Sequence, residues 1–378
     1  MRFSDISGNE DLKKVLAGMV CRDRIPHALM IYENDGGGAI PMVLAFLQHL
    51  NCHDRGEQDS CGSCPACNRM EKLLHADVKF IFPVTKGTKV TVDKPMSRDY
   101  MSYWRELLLS NPYFMESELN DALGIEGKSS IIALAEATAI RETLMTASVE
   151  GGYRAFVIYL PEKMNAETAN RLLKSVEEPP EKTLFIFITH APERVLSTIS
   201  SRCVGLRLLP LAKDDVVKVL TGRFGTEAGR AAEVAAHCGG SVGKALAMLA
   251  EGADIAEEER LWSSMLEAVA SKDMLTLTEI AEEMGSVSSR EGAKALCRYA
   301  SENLRKIFMI QQGLPQLASL TTREAELLGD LPKRLRKTFT RRAVSNLDRA
   351  QMLVGRNVNL KLVFSDLAVK LYMIQNGQ

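Results

Sequence analysis

The sequence predicts an α/β fold built on a parallel sheet, followed by an all-helical region. Three observations carry the prediction. Residues 155–159 and 184–189 are nearly continuous runs of apolar β-formers, the pattern of strands buried on both faces. Between them Met164, Ala169, Leu172, Leu173 and Val176 recur at helical spacing, so the stretch reads as a βαβ crossover whose two strands sit centrally in a sheet. After Leu211 the β-forming runs stop, and amphipathic helical spacing continues to the C-terminus.

The chain bounds the rest. Its 378 residues are too many for one ordinary domain and suit two or three. Lys and Arg (47) nearly balance Asp and Glu (48), for a formal charge of -1, which excludes a surface built as a whole to hold polyanion. Any DNA contact must be local or shared. The N-terminus has no apolar signal-like core, and no run approaches the roughly 20 apolar residues of a membrane span. A cytoplasmic protein without a membrane partner is expected.

In chain order, a first helix shows Leu12, Val15, Leu16 and Met19 on one face and leads to a strand at 29–32. A phosphate loop of the form G-x-x-x-x-G-K-[ST] is expected after such a strand, its amides and lysine cradling phosphates and its hydroxyl holding magnesium. The sequence there reads Glu33-Asn34-Asp35-Gly36-Gly37-Gly38-Ala39-Ile40. In register, Glu33 replaces the first glycine, Ala39 the lysine and Ile40 the hydroxyl residue, while Gly36 and Gly38 remain. The loop survives without its chemistry, and Glu33 and Asp35 would repel a triphosphate.

A helix at 42–50 precedes Cys52, Cys61, Cys64 and Cys67, four of the eight cysteines at C-x8-C-x2-C-x2-C spacing. That pattern predicts a closed tetrahedral thiolate zinc site, with disulfides disfavoured in a chain lacking an export signal. His53 is an alternative to Cys52. Four thiolates leave no open coordination position, so the zinc is expected to be structural. Cys21, Cys203, Cys238 and Cys297 read as small core residues. The next strand is 78–82. The pattern then breaks over 84–129, where the stretch with Trp104, Leu107 and Leu108 is at best a short helix, and a mobile insertion without an assigned role is expected. Helical spacing returns over 131–147. In the crossover unit Asn165 is the expected helix cap, and Glu177-Glu178-Pro179-Pro180 ends the helix.

Glu177-Glu178-Pro179-Pro180, the strand ending in Thr189, and Ser201-Arg202-Cys203 together resemble the AAA+ subunits of sliding-clamp loaders. The resemblance covers most of the first 250 residues and the remainder only by helical pattern. It implies an AAA+ parallel-sheet, P-loop-like domain at 1–210 with a zinc-binding module at 51–70 and the insertion at 84–129. A small helical lid at 211–252 follows, broken by Gly239-Gly240, and then a helical collar at 253–378. It also places residues 3–10 near the adenine of a bound nucleotide and Arg141 at a position where these subunits carry arginine.

The resemblance assigns roles residue by residue. Arg202, flanked by Ser201 and Cys203, is implied to reach in trans toward the phosphates of a neighbour's nucleotide; the competing reading is an ion pair with a local carboxylate. Two further motifs depart from ATPase members. Tyr159 and Leu160 stand where those carry an acidic pair for magnesium and water, and Gly243 stands where they carry an arginine toward the γ-phosphate, with Lys244 one residue off. The expectation is a nonhydrolysing clamp-loader subunit for DNA replication that binds no ATP itself. Its partners would be ATPase subunits and a clamp-opening subunit, with the sliding clamp and primer-template DNA met through the complex. The alternatives are an active ATPase with a divergent phosphate loop and a zinc-dependent nucleic-acid-binding protein. Lys333, Arg334, Arg336, Lys337, Arg341 and Arg342 form a basic cluster that fits a solvated face better than a DNA site.

Overall fold

Five parallel strands form one sheet in the computed structural model, which describes residues 1–250, 255–286, 290–318, 320, 322–356 and 358–377. They are β1 (Ala28–Tyr32), β2 (Val78–Ile81), β3 (Arg154–Tyr159), β4 (Thr183–Thr189) and β5 (Val204–Arg207), in the spatial order β2-β3-β4-β1-β5. β3 and β4 are both interior, as their unbroken apolar runs require, and every residue of each is buried. β5 was not expected. It is short, contains Gly205 and is mostly exposed, and only its pairing with β1 (Leu29 opposite Val204) makes it a strand.

The chain divides into two compact units, Met1–Leu246 and Ala247–Gln378. In the first, helices α1 (Glu10–Cys21), α2 (Ala39–Leu50), α3 (Pro65–Glu71), α4 (Met101–Ser110), α5 (Glu116–Leu123), α6 (Leu134–Leu144), α7 (Ala166–Glu177) and α8 (Ser197–Ser200) surround the sheet. α9 (Lys213–Phe224), α10 (Ala228–His237) and α11 (Val242–Ala250) follow, with Gly239 and Gly240 at positive φ between the last two. Asn165 caps α7 as expected, its side chain accepting the Thr168 amide at 2.8 Å. α2 begins at Ala39, immediately after the phosphate-loop position, and is buried along its whole length.

The stretch 84–129 is an ordered covering of the sheet, where a mobile insertion was expected. Trp104 stacks on Phe82 at 4.2 Å with 5° between planes and meets Phe114 and Tyr159 edge-on at 5.4 and 5.7 Å. Leu108, Phe114, Leu119, Leu123 and Ile125 are buried with it. Its apolar residues find partners on the sheet rather than along one helix face, so no local periodicity announces them.

The second unit is helical in its described residues: α12 (Ile255–Ser271), α13 (Met274–Met284), α14 (Arg290–Gln311), α15 (Pro315–Ala318), α16 (Thr322–Leu328), α17 (Leu331–Arg334), α18 (Phe339–Gly355) and α19 (Leu360–Asn376). Its core includes Trp262, whose indole donates to Asn303 at 3.0 Å, with Phe339 and Phe364 also fully buried. A Lys306–Glu324 ion pair is buried in the same unit. The lid–collar boundary expected at 252/253 lies outside the described residues.

Candidate functional site

The phosphate-loop position is filled by the chain itself. Glu33 follows β1 and folds back so that its Oε2 accepts the Ala39 amide, at the start of α2, at 2.7 Å. A helix N-terminus presents unpaired amides and positive potential, which is why phosphates bind there; here a carboxylate takes the place. The Glu33 side chain is 4% exposed. His190, just beyond β4, lies between the loop's two acids, with Nε2 3.6 Å from Glu33 Oε1 and Nδ1 3.4 Å from Asp35 Oδ1. The first separation is an ion-pair distance and too long for a hydrogen bond.

Burial pushes the Glu33 and Asp35 carboxyls above the usual carboxylate range. Burial on its own would lower His190, but the facing carboxylates of Glu33, Asp35 and Glu162 outweigh it and raise it. All three groups therefore hold protons more firmly than in solution.

The other expected positions close around this loop. Tyr159 and Leu160 are buried, and burial lifts the Tyr159 phenol well above its ordinary value. Leu160 has φ 56°, turning the chain so that Glu162 accepts the Thr189 hydroxyl at 2.8 Å. Asp35 accepts the Glu116 amide at 3.2 Å, bringing α5 to the loop, and Tyr113 packs on Gly38. Gly243, in α11, donates its amide to Gly36 O at 3.0 Å, and Ser241 Oγ donates to Asp35 O at 2.8 Å. A Cβ added to Gly243 would lie 2.5 Å from Tyr113 O, and one added to Gly36 would lie 2.8 Å from the Gly243 Cα. Two glycines are thus required by close backbone approach. Sequence reasoning placed most of these residues but missed His190 and the part played by Tyr113 and Glu116. They come from distant segments, and no local pattern marks them.

The four cysteines converge. The Sγ atoms of Cys52, Cys61, Cys64 and Cys67 all lie within 4.8 Å of one another, with 3.5 Å from Cys52 to Cys61 and 3.9 Å from Cys52 to Cys64 and from Cys61 to Cys67. Metal–sulfur bonds of about 2.3 Å in a tetrahedron put sulfurs about 3.8 Å apart, so the donor set fits one metal ion. Amides of Cys61 and Cys64 point at Cys52 and Cys61 sulfurs at 3.3 Å. Amides of Ser63 and Cys64 lower the Cys61 thiol to about 6, whereas burial raises the Cys52 and Cys67 thiols. His53 is exposed and outside the cluster. Asp59, in the same loop, accepts the amides of Phe3 and Ser4 at 3.1 and 2.9 Å and ties the module to the N-terminal segment. Of the scattered cysteines, Cys238 and Cys297 are buried and Cys203 is partly buried, its thiol pushed up to about 12 by burial. Cys21 is exposed and does not belong to the core, because it ends α1 on the solvent side.

Arg202 precedes the edge strand β5. Because β5 and β1 run parallel with Leu29 opposite Val204, Arg202 lies at the sheet end away from the loop after Tyr32, on the order of 10 Å along the strands. Its guanidinium pairs with Glu177, at the end of α7, and donates to Thr198 O at 2.8 Å. The side chain remains 35% exposed. In the basic cluster, Arg334 is engaged by Glu267 at 2.7 and 2.9 Å, which supports a structural use of that residue.

A five-stranded parallel sheet with a phosphate-loop position after its first strand, followed by a helical unit, defines an α/β protein of P-loop-like architecture. The chain belongs to the DNA polymerase III delta subunit family, whose profile matches residues 8–212. It is similar to DNA polymerase III subunit delta' of Bacillus subtilis (26% identical over 198 residues, 52% of this chain and 46% of that protein) and of Yersinia pestis (30% over 190 residues, 50% and 43%). The chain thus spans about half the length of these two relatives. Likeness to the Escherichia coli subunit delta' is 25% over 371 residues, 97% of this chain and 95% of that protein. Among solved structures, a DNA polymerase III gamma subunit-related protein from Thermotoga maritima aligns over 96% of this chain and 98% of its own, at 16% identity and a TM-score of 0.36. No described helix is long and apolar enough to cross a membrane.

Proposed function

We propose that this chain is a nonhydrolysing clamp-loader subunit of the DNA polymerase III holoenzyme. It assembles with ATPase subunits and a clamp-opening subunit, and through the complex serves loading of the sliding clamp onto primer-template DNA. The observation that carries the nonhydrolysing reading is the Glu33 carboxylate on the Ala39 amide. A carboxylate on the first amide of α2 competes with a phosphate for that amide and repels it. Tyr159 and Leu160 offer magnesium no ligand, and Gly243 offers the γ-phosphate no cation. An active ATPase with a divergent loop would need all three restored. We assign Arg202 to a neighbour's nucleotide: it is remote from the chain's own loop, partly exposed, and beside the sheet's edge. In the assembly it must leave Glu177. We assign residues 211–252 to the lid and residues 253–378 to the collar.

Zinc is the ion that suits the four sulfurs, since four thiolates select a closed tetrahedral site. It would hold the 52–67 loop and, through Asp59, the N-terminal segment. A zinc-dependent nucleic-acid role would require a basic patch on this module, whose two arginines, Arg55 and the Glu150-paired Arg69, are outnumbered by Asp54, Glu57 and Asp59. Isothermal titration of the purified chain with ATP and magnesium tests the main reading. No heat of binding is expected up to millimolar nucleotide, and saturable micromolar binding would promote the ATPase alternative.

A further inference from the structure

We propose that Glu33, His190 and Asp35 form an internal latch that does mechanically what a bound nucleotide does in an ATPase, holding α11 and α5 against the phosphate loop with no ligand present. The latch rests on the reading of this site as nucleotide-free. It goes beyond that reading, because a loop that had merely lost its lysine would leave the elements around it unconnected.

The connections run through five segments. Glu33 closes the start of α2 by accepting the Ala39 amide. The Asp35 carboxylate accepts the first amide of α5, that of Glu116 at 3.2 Å, where helix potential favours a negative charge. The Asp35 and Gly36 carbonyls accept Ser241 Oγ and the Gly243 amide from the start of α11. His190 joins β4 to both acids, at 3.6 and 3.4 Å. A protonated imidazole there compensates two buried like charges; without its proton they repel, and either the loop opens or a carboxyl protonates.

The surroundings favour the proton. Glu162 faces His190 from the turn after β3, its carboxylate accepting the His190 amide at 3.3 Å, and the edge of Tyr159 meets the imidazole at 5.5 Å between centroids. On the α5 side, Glu116 is paired with Lys163, and Glu118 adds a further acid near Asp35. Lys244 of α11 lies toward Asp35 and partly offsets it, while Tyr113 contributes a neutral phenol toward Glu33. Carboxylates outnumber the cations at this point.

The test is hydrogen exchange of the intact chain, followed by mass spectrometry on segments 113–118 and 241–246 at about pH 6 and about pH 8.5, corrected for intrinsic rates. His190→Gln should speed exchange of both segments about tenfold at the lower pH and abolish the loosening that the wild type shows at the higher one, with strand 155–159 unchanged. If His190→Gln does not fold, Glu33→Gln, which keeps an oxygen for the Ala39 amide but removes the charge facing a protonated His190, should loosen the same segments at the lower pH. Exchange equal to the wild type in the folded variant would overturn the latch. ATP titration of the same samples separates the two ideas. Nucleotide binding by the wild type would sink the nucleotide-free reading, whereas no binding with unaltered exchange would sink the latch alone.

Discussion

The Glu33 carboxylate accepts the Ala39 amide at 2.7 Å, so the first amide of α2 already carries an anionic partner. Restoring the loop's consensus by Glu33→Gly, Ala39→Lys and Ile40→Thr together removes that carboxylate but should still not produce an ATPase. Tyr159 and Leu160 still lack carboxylates, and Tyr113 still packs against Gly38 and Gly243. Phosphate release by the triple variant should stay at background; measurable turnover would show that the loop alone had been lost.

Trp104 is the keystone of the 84–129 covering. Trp104→Ala removes its stacking on Phe82 and its edge contacts with Phe114 and Tyr159, and should cost about 3–5 kcal/mol in urea unfolding of the first unit. A cost below about 1 kcal/mol would mean that the covering contributes little to the fold.

One zinc per chain is expected by elemental analysis, and Cys64→Ser should destabilise by roughly 3 kcal/mol or more through loss of the metal. Because Asp59 carries the Phe3 and Ser4 amides, chelation should also expose the first residues to proteolysis. Native protein that is metal-free, with four titratable thiols in the 52–67 loop, would end the zinc assignment.

Arg202→Ala should leave folding and assembly intact and lower the partner's DNA- and clamp-stimulated ATPase by on the order of a thousandfold. Arg202→Lys should rescue poorly, lacking the planar fork that meets phosphate oxygens in pairs. Steady-state rates of the reconstituted complex decide the matter, and equal rates at equal assembly would leave Arg202 as the Glu177 ion-pair residue seen in the isolated chain.

His190 sets a pH dependence with a definite sign. Its folded value is raised, so the stability it contributes is fully present below an unfolded value of about 6.5 and is lost as pH rises through the folded one. The raised values of Glu33 and Asp35 act in the same direction. The thermal midpoint of the wild type should fall from about pH 6 to about pH 8.5, and that of His190→Gln should fall less. Parallel curves would remove His190 from the account.

By itself the sequence determined the interior strands β3 and β4, the Asn165 cap of α7, the break at Gly239-Gly240 and the four-cysteine set. Each is a local pattern: an apolar run, a cap before a helical period, a pair of helix breakers, a spacing of thiols. It also showed which phosphate-loop residues were replaced. Only the tertiary structure decided what the replacements do. β5 is a strand because β1 supplies its partners, and the 84–129 stretch is ordered because the sheet supplies a surface for Trp104 and Phe114. His190 stands more than 150 positions from Glu33 and Asp35 in the chain, and Arg202 meets Glu177 across 25. Charge interactions depend on distance and burial in space, which adjacent letters do not encode.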